Sequence, residues 1–80
     1  MKAVITVVGK DRVGIIAGVS TALAEQGVNI LDISQTILQE YFTMIMLVEL
    51  DPERRAIGEV AEQLNAVGEA LGVQVRVQHD

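Results

Sequence analysis

Eighty residues leave room for one hydrophobic core and not for two. Half of them are apolar, which argues for a folded globule, and the lack of cysteine excludes a disulfide framework or a thiolate metal site. The net charge is −5, the six basic residues are scattered, and Tyr41 and Phe42 are the only aromatics. Direct nucleic-acid binding, which needs a clustered basic face or stacking platforms, is therefore not expected. The longest apolar runs, residues 13–24 and 41–50, are too short to span a bilayer. The opening "MKAVITVVGKD" lacks the form of a secretion signal, so the expectation is a soluble, cytoplasmic protein with no membrane partner.

In chain order, "KAVITVVG" is β-branched and predicts a buried strand over residues 2–9. A charged turn follows. "RVGIIAGVSTALAEQG" then carries Val13, Ile16, Ala17, Ser20, Leu23, Ala24 and Gly27 at helical spacing, with the helix starting near Arg12 and Gly27 as its terminator. "VNILDISQTILQE" predicts a second strand and "YFTMIMLVEL" a third. They lie so close that a hairpin must turn near Gln39 and Glu40, without the usual Asn-Gly signal. "DPERRAIGEVAEQLNAVGEALG" predicts a second helix. Asp51 suits its cap, Pro52 its first position and Glu53 its dipole. Ile57, Val60, Ala61, Leu64, Val67, Gly68 and Leu71 form one apolar stripe, and Gly72 ends it. "VQVRVQH" alternates, with Val73, Val75 and Val77 on one face and Gln74, Arg76 and Gln78 on the other.

The order βαββαβ predicts an α+β, ferredoxin-like sandwich: a four-stranded antiparallel sheet with two helices on one face. The other face should then be polar at alternate positions. The last strand obeys, but the first (Ala3 to Val8) and the third (Met44 to Val48) are apolar on both faces. The second strand, an edge in this topology, is apolar on both faces as well. An unguarded apolar edge invites pairing, so a homodimer is expected, through strand addition, face packing or both.

The spacing Gly9-x-x-x-x-Gly14 is that of a phosphate loop. Ile15 and Ile16 stand where that loop carries Lys and Ser or Thr, and the parallel nucleotide-binding sheet is missing, so nucleotide hydrolysis is rejected. Two readings of the turn stay open. In one, Asp11 caps the helix, Lys10 and Arg12 are solvated, and the glycines serve the turn. In the other, the helix's free N–H groups hold a small anion such as a carboxylate, approached closely over Gly9 and Gly14. Catalysis has little to draw on: His79 is terminal, and Ser20 and Ser34 have no nearby His. Asp11 and Asp32 could share a hard cation or act as paired carboxylates only if the fold joins them. Met44 and Met46 suit core filling.

The stretch "GKDRVGIIAGVSTALAEQGVNILDISQT" resembles the first half of an ACT domain, whose pattern is a strand, D-R-P-G-I, a helix with V-S-x-x-L-A, then G-x-N-I. The resemblance extends over the whole chain. With "SQT" and "FTMIMLV" it is most similar to the small stand-alone ACT proteins of bacteria and archaea. It implies a regulatory, non-catalytic module with no cofactor or metal, acting as a homodimer that binds a small molecule, most often an amino acid. It implies a site between the strand-to-helix turn and the start of the second strand, often at the dimer interface. By matching positions these are Gly9, Lys10, Asp11, Arg12, Val13 and Gly14, together with Asn29. The Gly14 amide and helix start would hold a carboxylate, Asp11 would attract an ammonium, Asn29 would donate and accept, and Lys10 and Arg12 would tune the field. Val13 departs from the family's proline and leaves an N–H where proline has none. The alternative is an adaptor without a small-molecule ligand, pairing its edge or apolar face with a protein partner of a regulatory pathway.

Overall fold

The computed structural model describes residues 1–80. Strand β1 (Lys2–Lys10) leads to helix α1 (Ile15–Glu25), then β2 (Asn29–Leu38), β3 (Tyr41–Glu49), helix α2 (Ile57–Leu71) and β4 (Val73–His79). The sheet order is β2-β3-β1-β4 with every neighbouring pair antiparallel. This is the expected ferredoxin-like βαββαβ sandwich. No helix is long and apolar enough to cross a membrane.

Alternation builds the core. Ala3, Ile5 and Val7 of β1 point to the helices, level with Val48, Met46 and Met44 of β3, and all six are buried. Val19 and Leu23 of α1 and Val60 and Leu64 of α2 close over them. Each large side chain so buried contributes about 1.5–3 kcal/mol. The two methionines fill this core, as their surroundings in the sequence suggest. The opposite face matches the expectation from β1 and β3: Val8, Tyr41 and Ile45 stand about half exposed there, and Leu38 more so. β4 presents a polar row there, Gln74, Arg76 and Gln78, and so does β2, with Asp32, Ser34 and Thr36; contrary to the expectation, β2 is not apolar on both faces.

Residues Gln39 and Glu40 make the hairpin, closed by the pair Leu38 and Tyr41. Without an Asn-Gly step, Gln39 itself takes φ +56, a left-handed conformation uncommon outside glycine. β2 contains one irregularity. Ile30 is level with Val48 but Asp32 with Leu47, so Leu31 is an extra residue, a β-bulge.

Both helices start later than their sequence signals. α1 begins at Ile15 and not near Arg12, and it buries Ile15, Val19, Ala22 and Leu23. Val13 is 95% exposed and Ile16 46%. Of the large residues in the predicted stripe, only Leu23 is buried. This helix is apolar nearly all round, so hydrophobicity alone does not fix its phase. In α2 the predicted stripe holds, with Val60, Leu64 and Gly68 buried and Ile57, Val67 and Leu71 packed beside the core. Its start is Ile57, however, because Asp51 serves a separate turn. The Asp51 carboxylate accepts from the Glu53 N–H at 3.0 Å, and its carbonyl accepts from the N–H groups of Arg54 and Arg55. Glu59 reaches back to accept from the Ala56 N–H at 3.3 Å. Gly72 ends α2 at φ +74, as its position suggests.

Val73 is held between two glycines. A Cβ on Gly9 would lie 2.7 Å from the Val73 Cγ1, and one on Gly68 would lie 2.8 Å from the Val73 carbonyl oxygen. Gly58, in the same helix as Gly68, has nothing within 4 Å of the corresponding point. Gly58→Ala should therefore stabilise the fold by about 0.5 kcal/mol through backbone entropy. Gly68→Ala should instead destabilise it by about 1–3 kcal/mol, despite the same gain in helix propensity, because α2 must lift off β4. Urea midpoints of the two variants would check the opposite signs.

Candidate ligand site

β1 ends at Lys10, and the turn that follows is tied to the hairpin. The Asp11 N–H donates to the Glu40 carbonyl at 2.7 Å, and Lys10 Nζ faces the Glu40 carboxylate at 3.9 Å. That ion pair is solvent-exposed and contributes little. Asp11 does not cap α1, contrary to the first reading of the turn. The N-cap is Gly14, at φ +97, and no side chain caps the helix. The first helical bond runs from the Gly18 N–H to the Gly14 carbonyl at 2.8 Å. The N–H groups of Ile15, Ile16 and Ala17 therefore precede the helical ladder, at the positive end of the dipole. There is no acidic residue in this first turn to offset them.

These residues border a cleft of about 260 Å³ between the start of α1 and strand β2. Asp11, Arg12 and Gly14 line one side, with Ile15, Ile16 and Ala17 continuing along the helix. Gln35 and Ile37 of β2 form the facing wall, and Phe42 of β3 lies beneath. Ile15 and Phe42 are nearly fully buried, so the floor is apolar, whereas Ile37 is half exposed at the rim. The Arg12 Nη1 donates to the Leu71 carbonyl at the end of α2 at 3.3 Å.

The residues singled out in the sequence therefore divide. Asp11, Arg12 and Gly14 line the cleft. Gly9 and Lys10 end β1 and Val13 lies in the turn; Gly9 packs on Val73, Lys10 faces Glu40 and Val13 projects into solvent. Asn29 lies elsewhere in this chain. It is level with Glu49 and Lys2, whereas Gly9 is level with Phe42 and Ile37. The separation along the sheet is about 23 Å. Gln35 and Ile37 escaped the sequence reading. The signal was available: on the helix-facing side of β2, Gln35 interrupts the apolar series of Ile33 and Ile37. The structure also separates Asp11 from Asp32, which is level with Leu47 and accepts from the Ile33 N–H at 2.9 Å. No three His, Asp or Glu side chains cluster as a metal site.

With the fold and the cleft described, the comparison with known proteins is direct. The ACT domain pattern matches residues 2–78. The chain belongs to the ACT domain family. A UPF0237 protein of Clostridium acetobutylicum is 58% identical to it over 80 residues, covering 100% of this chain and 90% of the other. The solved ACT domain protein from Streptococcus pneumoniae superposes with a TM-score of 0.86 at 51% identity, covering 98% of this chain and 88% of that one. The regulatory subunit of aspartate kinase from Thermus thermophilus, in ligand-free form, superposes at 0.75 with 30% identity, covering 99% of this ACT chain and 51% of that subunit. ACT domains are typically regulatory and ligand-binding.

The turn has one steep conformational demand. A Cβ on Gly14 would meet only Leu71 Cδ2, at 4.0 Å, so space is ample, yet the φ of +97 disfavours any side chain. Gly14→Ala is expected to lower stability by about 1–2 kcal/mol, and Gly14→Asn by less, because asparagine tolerates left-handed backbone. Equal losses in a denaturation series would point to crowding and not to backbone strain.

Proposed function

We propose that this protein is a non-catalytic regulatory module that binds an amino acid in the cleft between the turn and β2, acting in the cytoplasm as a homodimer. The observation that carries the reading is the uncapped start of α1 opening into that cleft beside Asp11. An amino acid presents a carboxylate and an ammonium a few ångströms apart. The free N–H groups of Ile15 to Ala17 suit the first, and the Asp11 carboxylate suits the second. Membership of a regulatory, ligand-binding family supports the same assignment.

β2 is a free edge carrying exposed Leu31, Ile33, Ile37 and Leu38. Antiparallel pairing of two such edges about a two-fold axis near Ser34 sets the partner's Asn29 level with Leu38, at the turn end of the sheet but on the face away from the helices. The regulatory signal would pass to a partner protein. A second reading, an adaptor without ligand, is favoured by the same apolar edge, which could pair with a different chain.

Thermal melting with each of the twenty amino acids at millimolar concentration tests the proposal. A ligand at about 100 times its Kd adds about 2.7 kcal/mol, a shift of roughly 10 °C or more for a domain this size. One or a few amino acids should stabilise the protein, and Asp11→Ala should abolish the effect. A flat profile for all twenty would sink the sensor and leave the adaptor. Sedimentation should give twice the chain mass, reduced to a single chain by Ile33→Lys; a monomeric parent would overturn the homodimer.

A further inference from the structure

The free edge of β2 is occupied at its centre. Asp32 lies beside Ser34, where the two-fold axis of the proposed homodimer passes, and its carboxylate already accepts from the Ile33 N–H at 2.9 Å. We infer that Asp32 guards this edge and yields it to a second copy of the chain, in the register that sets the partner's Thr36 hydroxyl opposite the carboxylate. The inference rests on the homodimer reading above and adds to it the group that decides which strand is admitted.

The direction of the Ile33 N–H follows from the ladders. The Met1 ammonium donates to the Leu50 carbonyl at 3.0 Å, and the Leu50 N–H donates to the Met1 carbonyl at 2.9 Å. Backbone groups alternate along a strand, so Val48, Met46, Met44 and Phe42 also turn theirs to β1. Leu47, Ile45, Thr43 and Tyr41 turn theirs the other way, to Asp32, Ser34, Thr36 and Leu38 of β2. Ile33, Gln35 and Ile37 are left with N–H and C=O groups pointing away from the sheet. Such a row is a template for any extended chain. Of these three N–H groups, that of Ile33 is held by the side chain of the residue before it.

Pairing about Ser34 makes Ile33 and the partner's Gln35 a hydrogen-bonded pair. The Ile33 N–H must then leave Asp32 for the partner's Gln35 carbonyl. Asp32 and Thr36 both project from the face away from the helices, and both are exposed. Across the new seam they stand directly opposite each other in a non-hydrogen-bonded pair, the closer kind, with Cα atoms about 4.5 Å apart. The carboxylate thus exchanges an N–H for the partner's Thr36 O–H. Symmetry repeats the exchange on the other side of the axis. A foreign strand with an aliphatic residue at that place gains the same backbone bonds but returns no donor to the displaced carboxylate, and one with an acidic residue repels it. The edge is therefore apolar enough to adhere and charged at the point where identity is read.

Charge placed at position 36 tests the register, with sedimentation equilibrium of the full chain as the measurement. Thr36→Lys should tighten the dimer about three- to tenfold, because the new ammonium faces the partner's Asp32 at two symmetric places. Thr36→Asp should weaken it by about tenfold, and adding Asp32→Lys should restore it. Thr36→Val, which keeps the shape and loses the hydroxyl, should also weaken it. Both positions are exposed, so the single-chain fold should tolerate these changes, with circular dichroism as the check. If Thr36→Lys and Thr36→Asp shift the constant alike, or neither shifts it, while Ile33→Lys still separates the chains, the role of Asp32 is overturned and the edge pair stands. If the parent is a single chain at every concentration, the edge pair itself falls, and the inference with it.

Discussion

Val73 is the contact on which the arrangement turns. It fills the space left by the missing side chains of Gly9 in β1 and Gly68 in α2, so one residue fixes the spacing of three elements. Packing this close draws α2 onto the β4 side of the sheet. α1 lies beside α2, with Gly18 near Leu71, and is drawn the same way. The two helices therefore leave the helix-facing side of β2 partly uncovered, where Ile33 and Ile37 remain about half exposed. The cleft is what remains between α1 and that strand. A domain of this size has too little interior to bury every apolar residue within one chain.

Much of this was legible in the sequence because several signals agreed. The alternation of β4, the stripe of α2 and its terminal Gly72, and the short interval between β2 and β3 each admit one reading. Where signals conflicted, the reading failed in a patterned way. Asp11 and Asp51 both look like helix caps, and both lie before their helices: Asp11 in the turn held to Glu40, Asp51 in a turn of its own. Residue type identifies a capacity for capping, but the backbone decides which N–H groups come within reach. α1 fails differently, because a helix apolar on most sides offers several equivalent stripes and only its packing on α2 and the sheet chooses among them.

The candidate site was half legible. Its turn side follows from Asp11, Arg12 and Gly14, which are adjacent in the chain. Its strand side comes from Gln35, Ile37 and Phe42, brought there by the register of β2 on β3, and that register depends on the Leu31 bulge. The bulge is not visible in the residues because Ile30 and Leu31 are both apolar, and either could continue the helix-facing row of Ile33, Gln35 and Ile37. Asn29 exposes the same difficulty. The resemblance identified the residue, but a single chain holds it at the far end of the sheet from the turn.

The two edges of the sheet are unlike, and the difference bears on how far such sheets can grow. β2 offers a long apolar margin interrupted by a bulge near its start. β4 is shorter and has Arg76 at its centre, flanked by Gln74 and Gln78. Two chains joined along β2 would present only β4 margins to solvent, and a guarded margin is a poor template for another strand. The addition that completes a pair would also terminate it. A chain rich in exposed aliphatic residues can thereby use its most adhesive border without seeding a fibre.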